Sequence, residues 1–335
     1  MRFGGNFNIP EGETHYKLNI SFTGASYNFN TASVYEADKQ ISMNLNNWSG
    51  DVDFPNGALK LSMQNSNLFD GNISIPNSVT NCESMFYSAP KFNKPVTIPD
   101  NVTNCFMMLA SCPEFNSTVE ISDSVIDCSY MFQGDTVLNK PISLGNGVCN
   151  CASMFVGCTN YNTAVVIPNN VYDVTGMFEG CYRFDKSVTV GNSITNCWAM
   201  FANCDLFNSP VILNRLQADS FDFSNMYFNC IMYNLAVDLP SNSNAQNMFS
   251  GCNSFSNQVS IGANCDCAYM FRNCKKMNVP VTIPSTTTNV TGMFAGCNDM
   301  HSPIYLPQAL FAEKYSSNKQ KLQWSMNARN EIVLY

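Results

Sequence analysis

Apolar and polar positions follow one pattern through most of the chain, and the pattern returns about every 23 residues. Its anchor is Met-Phe or a close variant, at Met85, Met108, Met131, Met154, Met177, Met200, Met226, Met248, Met270 and Met293. The first five intervals are 23 residues; the rest are 26, 22, 22 and 23. Within Ile75 to Pro99 (IPNSVTNCESMFYSAPKFNKPVTIP), Cys82, Met85, Phe86 and Ala89 fall at i, i+3, i+4 and i+7. That spacing predicts the apolar stripe of a short helix of about two turns. Thr80 or Asn81 stands where its N-cap would be. The stripe recurs as Cys151, Met154, Phe155, Cys158 and as Cys197, Met200, Phe201, Cys204.

After each stripe comes Phe-Asn or a relative, such as Phe92-Asn93, Phe115-Asn116, Tyr161-Asn162 and Phe207-Asn208. A short alternating segment follows, Val96-Thr97-Ile98, closed by Pro99. Alternation predicts a strand with Val96 and Ile98 inward and Thr97 outward. Flanking prolines, which donate no ladder bond, keep it to about three residues. A fixed period of this length predicts a solenoid, in which each coil buries its apolar face against its neighbours. The expected fold is an α/β solenoid, a right-handed superhelix with a parallel sheet of short strands, short helices and ten to twelve coils. Ten coils at about 4.8 Å spacing would span roughly 50 Å. The repeated Asn is expected to form an amide ladder that satisfies turn backbone groups.

The repeat thins toward the front. Trp48 to Pro55 resembles Phe69 to Pro76, so the solenoid is expected to run from 41 to 307. Residues 1–40 do not fit the period and alternate over Tyr16 to Phe22, which suggests a β-rich cap or docking segment. Residues 308–335 read as a C-terminal cap: a helix over Gln308 to Ser316, then a hairpin of Leu322 to Met326 with Glu331 to Tyr335. A bare final coil would expose its core and an open strand edge.

The phrase IPNSVTNCESMF followed by FNKPVTIP resembles the Treponema-type, or BspA-like, leucine-rich repeat, I-x-I-P-x-x-V-T-x-I-x-x-x-A-F-x-x-C-x-x-L, which has the same period. The run from Met154 to Asn162 is also similar to a repeat of mycoplasma-type surface lipoproteins. This chain departs by carrying Cys where the family often has Ile-Gly, and Met-Phe for Ala-Phe. The resemblance implies a leucine-rich-repeat-like solenoid that binds without chemistry. It also implies that the concave sheet face is the docking surface.

Composition narrows the partners. Charged residues are 13% and the net charge is -8, so no basic stripe is available to neutralise phosphates, and no nucleic-acid partner is expected. Lys314 to Lys321 reads as a solvated helix face. Met1 to Pro10 lacks the apolar core of a secretory signal, and no run of 18 apolar residues predicts a membrane span.

Fourteen of the 16 cysteines occupy two repeat positions. Three residues before the Met stand Cys82, Cys105, Cys128, Cys151, Cys197 and Cys267; four after it stand Cys112, Cys158, Cys181, Cys204, Cys230, Cys252, Cys274 and Cys297. Other coils place Val174, Phe223, Ala245 and Val290 at the first position, and Ala89 and Asp135 at the second. Exchange with apolar residues marks packing sites, so reduced core thiols are expected, formed in a reducing cytoplasm. No Cys-x-x-Cys occurs; the pairs Cys149/Cys151 and Cys265/Cys267 are too sparse for a zinc site, and no metal or cofactor is expected. His15 and His301 lie in different regions and offer no catalytic partner, so no enzyme is expected.

One ladder faces outward from the predicted sheet: Thr97, Glu120, Ser143, Val166, Thr189, Ile212, Asp238, Ser260, Thr282 and Tyr305. It is mixed, mildly apolar and almost uncharged, which suits a protein or glycan on a host cell surface. Three readings follow. The first is a bacteriophage virion surface component (fibre, decoration or host-attachment protein) that holds virion proteins through residues 1–40 and forms a homo-oligomer. The second is a bacterial cell-surface adhesin exported by an unrecognised route. The third is a glycan-degrading enzyme on a solenoid.

Overall fold

The structure is a computed structural model, and it describes residues 16–17, 40–42, 52–53, 60–213, 220–308 and 332–335. The chain divides into two compact units, Met1–Val171 and Tyr172–Tyr335. Both are built from the same coil.

Each coil has a short strand on one side. In the first unit Val96–Thr97 pairs in parallel with Val119–Glu120. In the second, Val188–Val190 pairs with Val211–Leu213, Val237–Leu239 with Val259–Ile261, and Val281–Thr282 with Ile304–Leu306, all parallel. Val96 and Ile98 are buried and Thr97 is exposed, as alternation requires. Pro95 and Pro99 bracket this strand, whose ladder is the pair Val96 N–H to Thr118 O and Ile98 N–H to Glu120 O, both 3.0 Å.

The predicted helices are absent from the described coils, so the α part of the expected fold is corrected. The Cys-x-x-Met-Phe segment is a ribbon of successive β-turns. Met85 donates to Cys82 O (3.1 Å), Tyr87 to Ser84 O (3.1 Å) and Ala89 to Phe86 O (3.0 Å), each three residues back. The alternate N–H groups leave the coil: Ser84 reaches Phe106 O (2.8 Å), Phe86 reaches Met108 O (2.8 Å) and Ser88 reaches Ala110 O (3.0 Å). Ser84 and Ser88, third in their turns, sit at φ 54° and 55°, the left-handed conformation that a type II turn needs there. An α-helix would spend every N–H inside its own segment and is about 10 Å wide. Here adjacent ribbons are hydrogen-bonded to each other directly, which holds the coils too close on that side for a helix.

The stripe itself is buried as read. Cys82, Met85, Phe86 and Ala89 are all inaccessible, while Glu83, Ser84, Tyr87 and Ser88 are half-buried. The true period is four, two residues in and two out.

Two aromatic columns fill the core. One holds the residue after the Met, the other the residue seven after it. In the first unit Phe86 stacks on Phe92 at 4.1 Å and Phe92 on Phe115 at 6.0 Å. In the second, Phe201 stacks on Phe207 at 4.3 Å and on Tyr227 at 5.8 Å, and Phe271 on Phe294 at 5.6 Å. Each such pair adds about 0.5–1.5 kcal/mol beyond its buried area.

Near the front, Tyr16–Lys17 pairs in parallel with Gln40–Ser42, and that strand with Lys60–Ser62. A parallel strand therefore occurs inside the segment read as a cap; the rest of 1–40 lies outside the described residues. At the other end, Ile332–Leu334 is a strand, but its partner is Ile304–Leu306, in parallel. The expected hairpin arm Leu322 to Met326, and the expected helix beyond Gln308, lie outside the described residues. Among the described residues the coils amount to about nine turns, fewer than the ten to twelve expected. No helix among the described residues is long and apolar enough to cross a membrane.

Candidate functional site

The outward ladder is where the alternation placed it. Thr97, Glu120, Ser143, Val166, Ile212, Asp238, Ser260 and Thr282 are exposed, and Thr189 and Tyr305 half-buried. Val166 is 70% exposed and Ile212 50%, large values for apolar side chains on a sheet. Neighbours in register are Thr97 with Glu120, Glu120 with Ser143, Thr189 with Ile212, Asp238 with Ser260, and Thr282 with Tyr305. The Thr97 hydroxyl donates to Glu120 Oε2 at 3.0 Å, so one charge of the ladder is already engaged along the stack. The face offers hydroxyls, short apolar groups and two carboxylates, and no cation.

Two polar columns hold the turns that carry this face. The Asn after the aromatic forms the expected ladder: Asn93 Oδ1 accepts Asn116 N–H at 2.8 Å, Asn116 Oδ1 accepts Asn139 N–H at 2.9 Å, and Asn208 Oδ1 accepts Asn234 N–H at 2.8 Å. The second column was not read as a ladder. Four residues before every Met stands Asn or Asp, and its Oδ1 accepts the N–H two residues on: Glu83 to Asn81 (2.8 Å), Ser129 to Asp127 (2.9 Å), Trp198 to Asn196 (2.9 Å). Asn81 thus caps, as expected, but caps a turn ribbon. From Asp173 to Asn289 the column alternates Asp and Asn, which keeps carboxylates off adjacent coils. Asp266 Oδ1 accepts Ala268 N–H at 3.0 Å in the same way, and its Oδ2 accepts in addition from Gln246 Nε2 at 2.9 Å. Invariance at one offset from the Met was the signal available in the sequence.

The thiols are donors. Cys204 Sγ lies 3.0 Å from Phe178 O, Cys230 2.9 Å from Phe201 O, Cys252 2.9 Å from Tyr227 O, Cys274 3.0 Å from Phe249 O and Cys297 3.0 Å from Phe271 O. Each thiol ties its coil to the coil before. None of the 16 cysteines is in a disulfide, and only Cys149 is not buried. Burial pushes the thiols of Cys82 and Cys297 up to about 12, and burial with the nearby Asp222 does the same for Cys197. Protonated thiols are poor nucleophiles and poor metal ligands. Among the described residues no group of three or more His, Cys, Asp or Glu is placed to hold a metal ion.

Asp135 takes a thiol's place in this column. Its Oδ1 accepts Cys112 N–H at 2.7 Å, while Oδ2 is buried without a partner. Burial raises the pKa of its carboxyl group well above the carboxylate range, and the Cys112 bond only partly opposes this.

These coils have relatives. The repeat-family model described as "Mycoplasma protein of unknown function, DUF285" matches over residues 12–121, 64–166, 98–188, 120–214, 149–264 and 217–308. The chain therefore belongs to the DUF285 repeat family, the mycoplasma-type repeat that Met154 to Asn162 resembles. No curated protein matches. Among solved structures, a leucine-rich repeat protein from Bacteroides ovatus ATCC 8483 is 14% identical, with 92% of this chain and 91% of that one covered and a TM-score of 0.40. A leucine-rich cell surface protein from Faecalibacterium prausnitzii A2-165 is 14% identical, with 96% and 88% covered and a TM-score of 0.44.

Proposed function

We propose that this chain is a non-enzymatic binding and structural protein carried on a bacteriophage virion surface, where its outward sheet ladder docks protein or glycan of the host cell. The observation that supports this reading is the ladder: within each unit, nearly uncharged outward side chains are held in register by parallel strands. The thiol donors favour assembly in a reducing cytoplasm before release, because an oxidised sulfur donates no bond to the preceding coil. Residues 1–40 would then hold the virion, with oligomerisation around them. Placement on a bacterial cell surface is the alternative, and uses the same face.

The test is adsorption of the purified protein to host cells or their envelope fractions. Val166→Glu and Ile212→Glu, each on exposed sheet positions, should lower retention by about tenfold or more with unchanged melting. Retention equal to wild type would remove the ladder from the reading. Antibody labelling of virions against labelling of host envelopes decides the placement, and release of reducing ends from envelope glycans would overturn the non-enzymatic assignment.

A further inference from the structure

One position of the thiol column breaks the rule that the other coils keep. In those coils the N–H of the residue four after the Met closes a turn on the carbonyl three residues back. Examples are Ala89 to Phe86 O (3.0 Å), Cys158 to Phe155 O (3.0 Å), Cys204 to Phe201 O (3.1 Å) and Cys274 to Phe271 O (3.0 Å). A cysteine there also donates its thiol to the corresponding carbonyl of the coil before, as Cys112 Sγ does to Phe86 O (3.1 Å) and Cys158 Sγ to Phe132 O (2.9 Å). Cys112 departs from the turn rule. Its N–H goes to Asp135 Oδ1 on the next coil, at 2.7 Å, and no backbone N–H among the described residues donates to Leu109 O. The carboxyl of Asp135 has taken the donor that Leu109 O would otherwise have used.

The register names what Asp135 should reach. Leu109 follows Met108 as Phe86 follows Met85 and Phe132 follows Met131, so Leu109 O is the carbonyl that a thiol at position 135 would bond. A carboxylate can only accept, whereas a carboxylic acid donates one O–H. Leu109 and Asp135 are both wholly buried, and Oδ2 has no partner. Two buried acceptors left bare cost stability, and one proton on Oδ2 would satisfy both. We propose that Asp135 is kept as the neutral acid, that its Oδ2–H donates to Leu109 O, and that this proton locks the coil of Met131 to the coil of Met108. Burial, which raises the pKa of this carboxyl, works in the same direction. The titratable groups beside it in the column are the thiols of Cys112 on the coil before and Cys158 on the coil after, and no charged side chain shifts it.

The lock sits at a weak step of the sheet. Val96–Thr97 and Val119–Glu120 form two residue pairs, but the coil of Met131 meets Glu120 through the single bridge to Ser143. No bridge among the described residues joins Ser143 to Val166. On the ribbon side the two coils stay tied by Met107, Leu109 and Ser111 N–H to Ser129, Met131 and Gln133 O (3.0, 2.9 and 2.7 Å). Opening should therefore start at the Cys112 turn and run toward the strand. Once open, Asp135 takes the pKa of an ordinary aspartate, about 4. Between that pH and the raised folded value each opening releases one proton, so the opening constant rises about tenfold per pH unit. The lock does not depend on what the outward ladder binds.

Two readouts on the full chain test it. Infrared spectra in heavy water at neutral pH should contain the carbonyl stretch of a buried carboxylic acid, and Asp135→Asn should remove it. Amide exchange at Cys112, corrected for its intrinsic pH dependence, should report opening that rises about tenfold per unit between about pH 5 and pH 8. Asp135→Asn and Asp135→Cys, which each place a neutral donor at this position, should abolish that slope. The wild-type band and slope remain decisive if either variant fails to fold. A spectrum without the acid band at neutral pH, a wild type without the slope, or a slope that both variants share overturns the proposal.

Discussion

At the scale of single residues, the unusual chemistry of this chain is hydrogen bonding by buried sulfur. Cysteine at the position four after the Met supplies a donor where alanine or valine would supply only volume. The carbonyl it reaches, such as Phe178 O, already accepts the turn bond from Cys181, so the thiol uses its second lone pair. Cys204→Ala should cost about 1–2 kcal/mol in denaturant unfolding, combining the lost bond with a small cavity. Cys204→Ser, which keeps a donor, should cost less; equal losses would remove the bond from the explanation. Asp135 is the converse case. Its folded-state pKa is raised, so the folded protein holds a proton that the unfolded chain gives up near pH 4. Stability therefore falls as pH rises from about 4 through the raised value, since the native state then binds more protons than the unfolded one. Asp135→Asn keeps an acceptor for Cys112 N–H and adds donors where Oδ2 has no partner. It should stabilise by about 1–3 kcal/mol at neutral pH, with a smaller gain in acid. A pH-independent difference between the two proteins would contradict the buried acid.

At the scale of elements, the sequence yielded the inward columns, the strand and the Asn ladder, and misread the ribbon. The reason is arithmetic. Over eight residues, positions i, i+3, i+4 and i+7 fit a period of 3.6 and a period of four equally well. The discriminating signal was elsewhere, at the third position of each turn. Gly, Asn or Ser recurs there in Ser84, Ser88, Gly176, Gly180, Asn225, Asn229, Gly292 and Gly296, all at positive φ. Two glycines four apart suit left-handed turns and would cost a short helix about 1 kcal/mol each. Gly292 has a further reason, since a Cβ there would stand 2.5 Å from Cε1 of Tyr269. Ser88→Gly gives the two readings opposite signs. The ribbon predicts a neutral or stabilising change of up to about 1 kcal/mol, and a helix predicts a loss of that size; thermal melting decides. The exposure of the ladder was legible because strands alternate: eight of its ten residues are exposed, and Thr189 and Tyr305 are half-buried. The setting of Asp135 was not legible, because its exchange for a thiol does not reveal that Cys112 N–H turns to it from the coil before.

At the scale of the molecule, stability is shared between neighbours. Among the described residues the coils share their bonds: alternate N–H groups of the ribbon, the Asn ladder, the thiols and the strands reach to the coil before or after. A solenoid of this kind follows nearest-neighbour energetics, so damage should spread along the stack and fade with distance. The proposed docking face depends on this sharing, because bonds between neighbouring coils hold its outward residues in register. The most direct measurement is amide hydrogen exchange on Met200→Asp, which sets a charge among buried sulfur and phenyl groups. The account predicts lost protection in the coils of Met177 and Met226 as well as at position 200, at Phe178, Phe201 and Tyr227 alike. Loss confined to the substituted coil, or protection unchanged throughout, would contradict a core shared between turns.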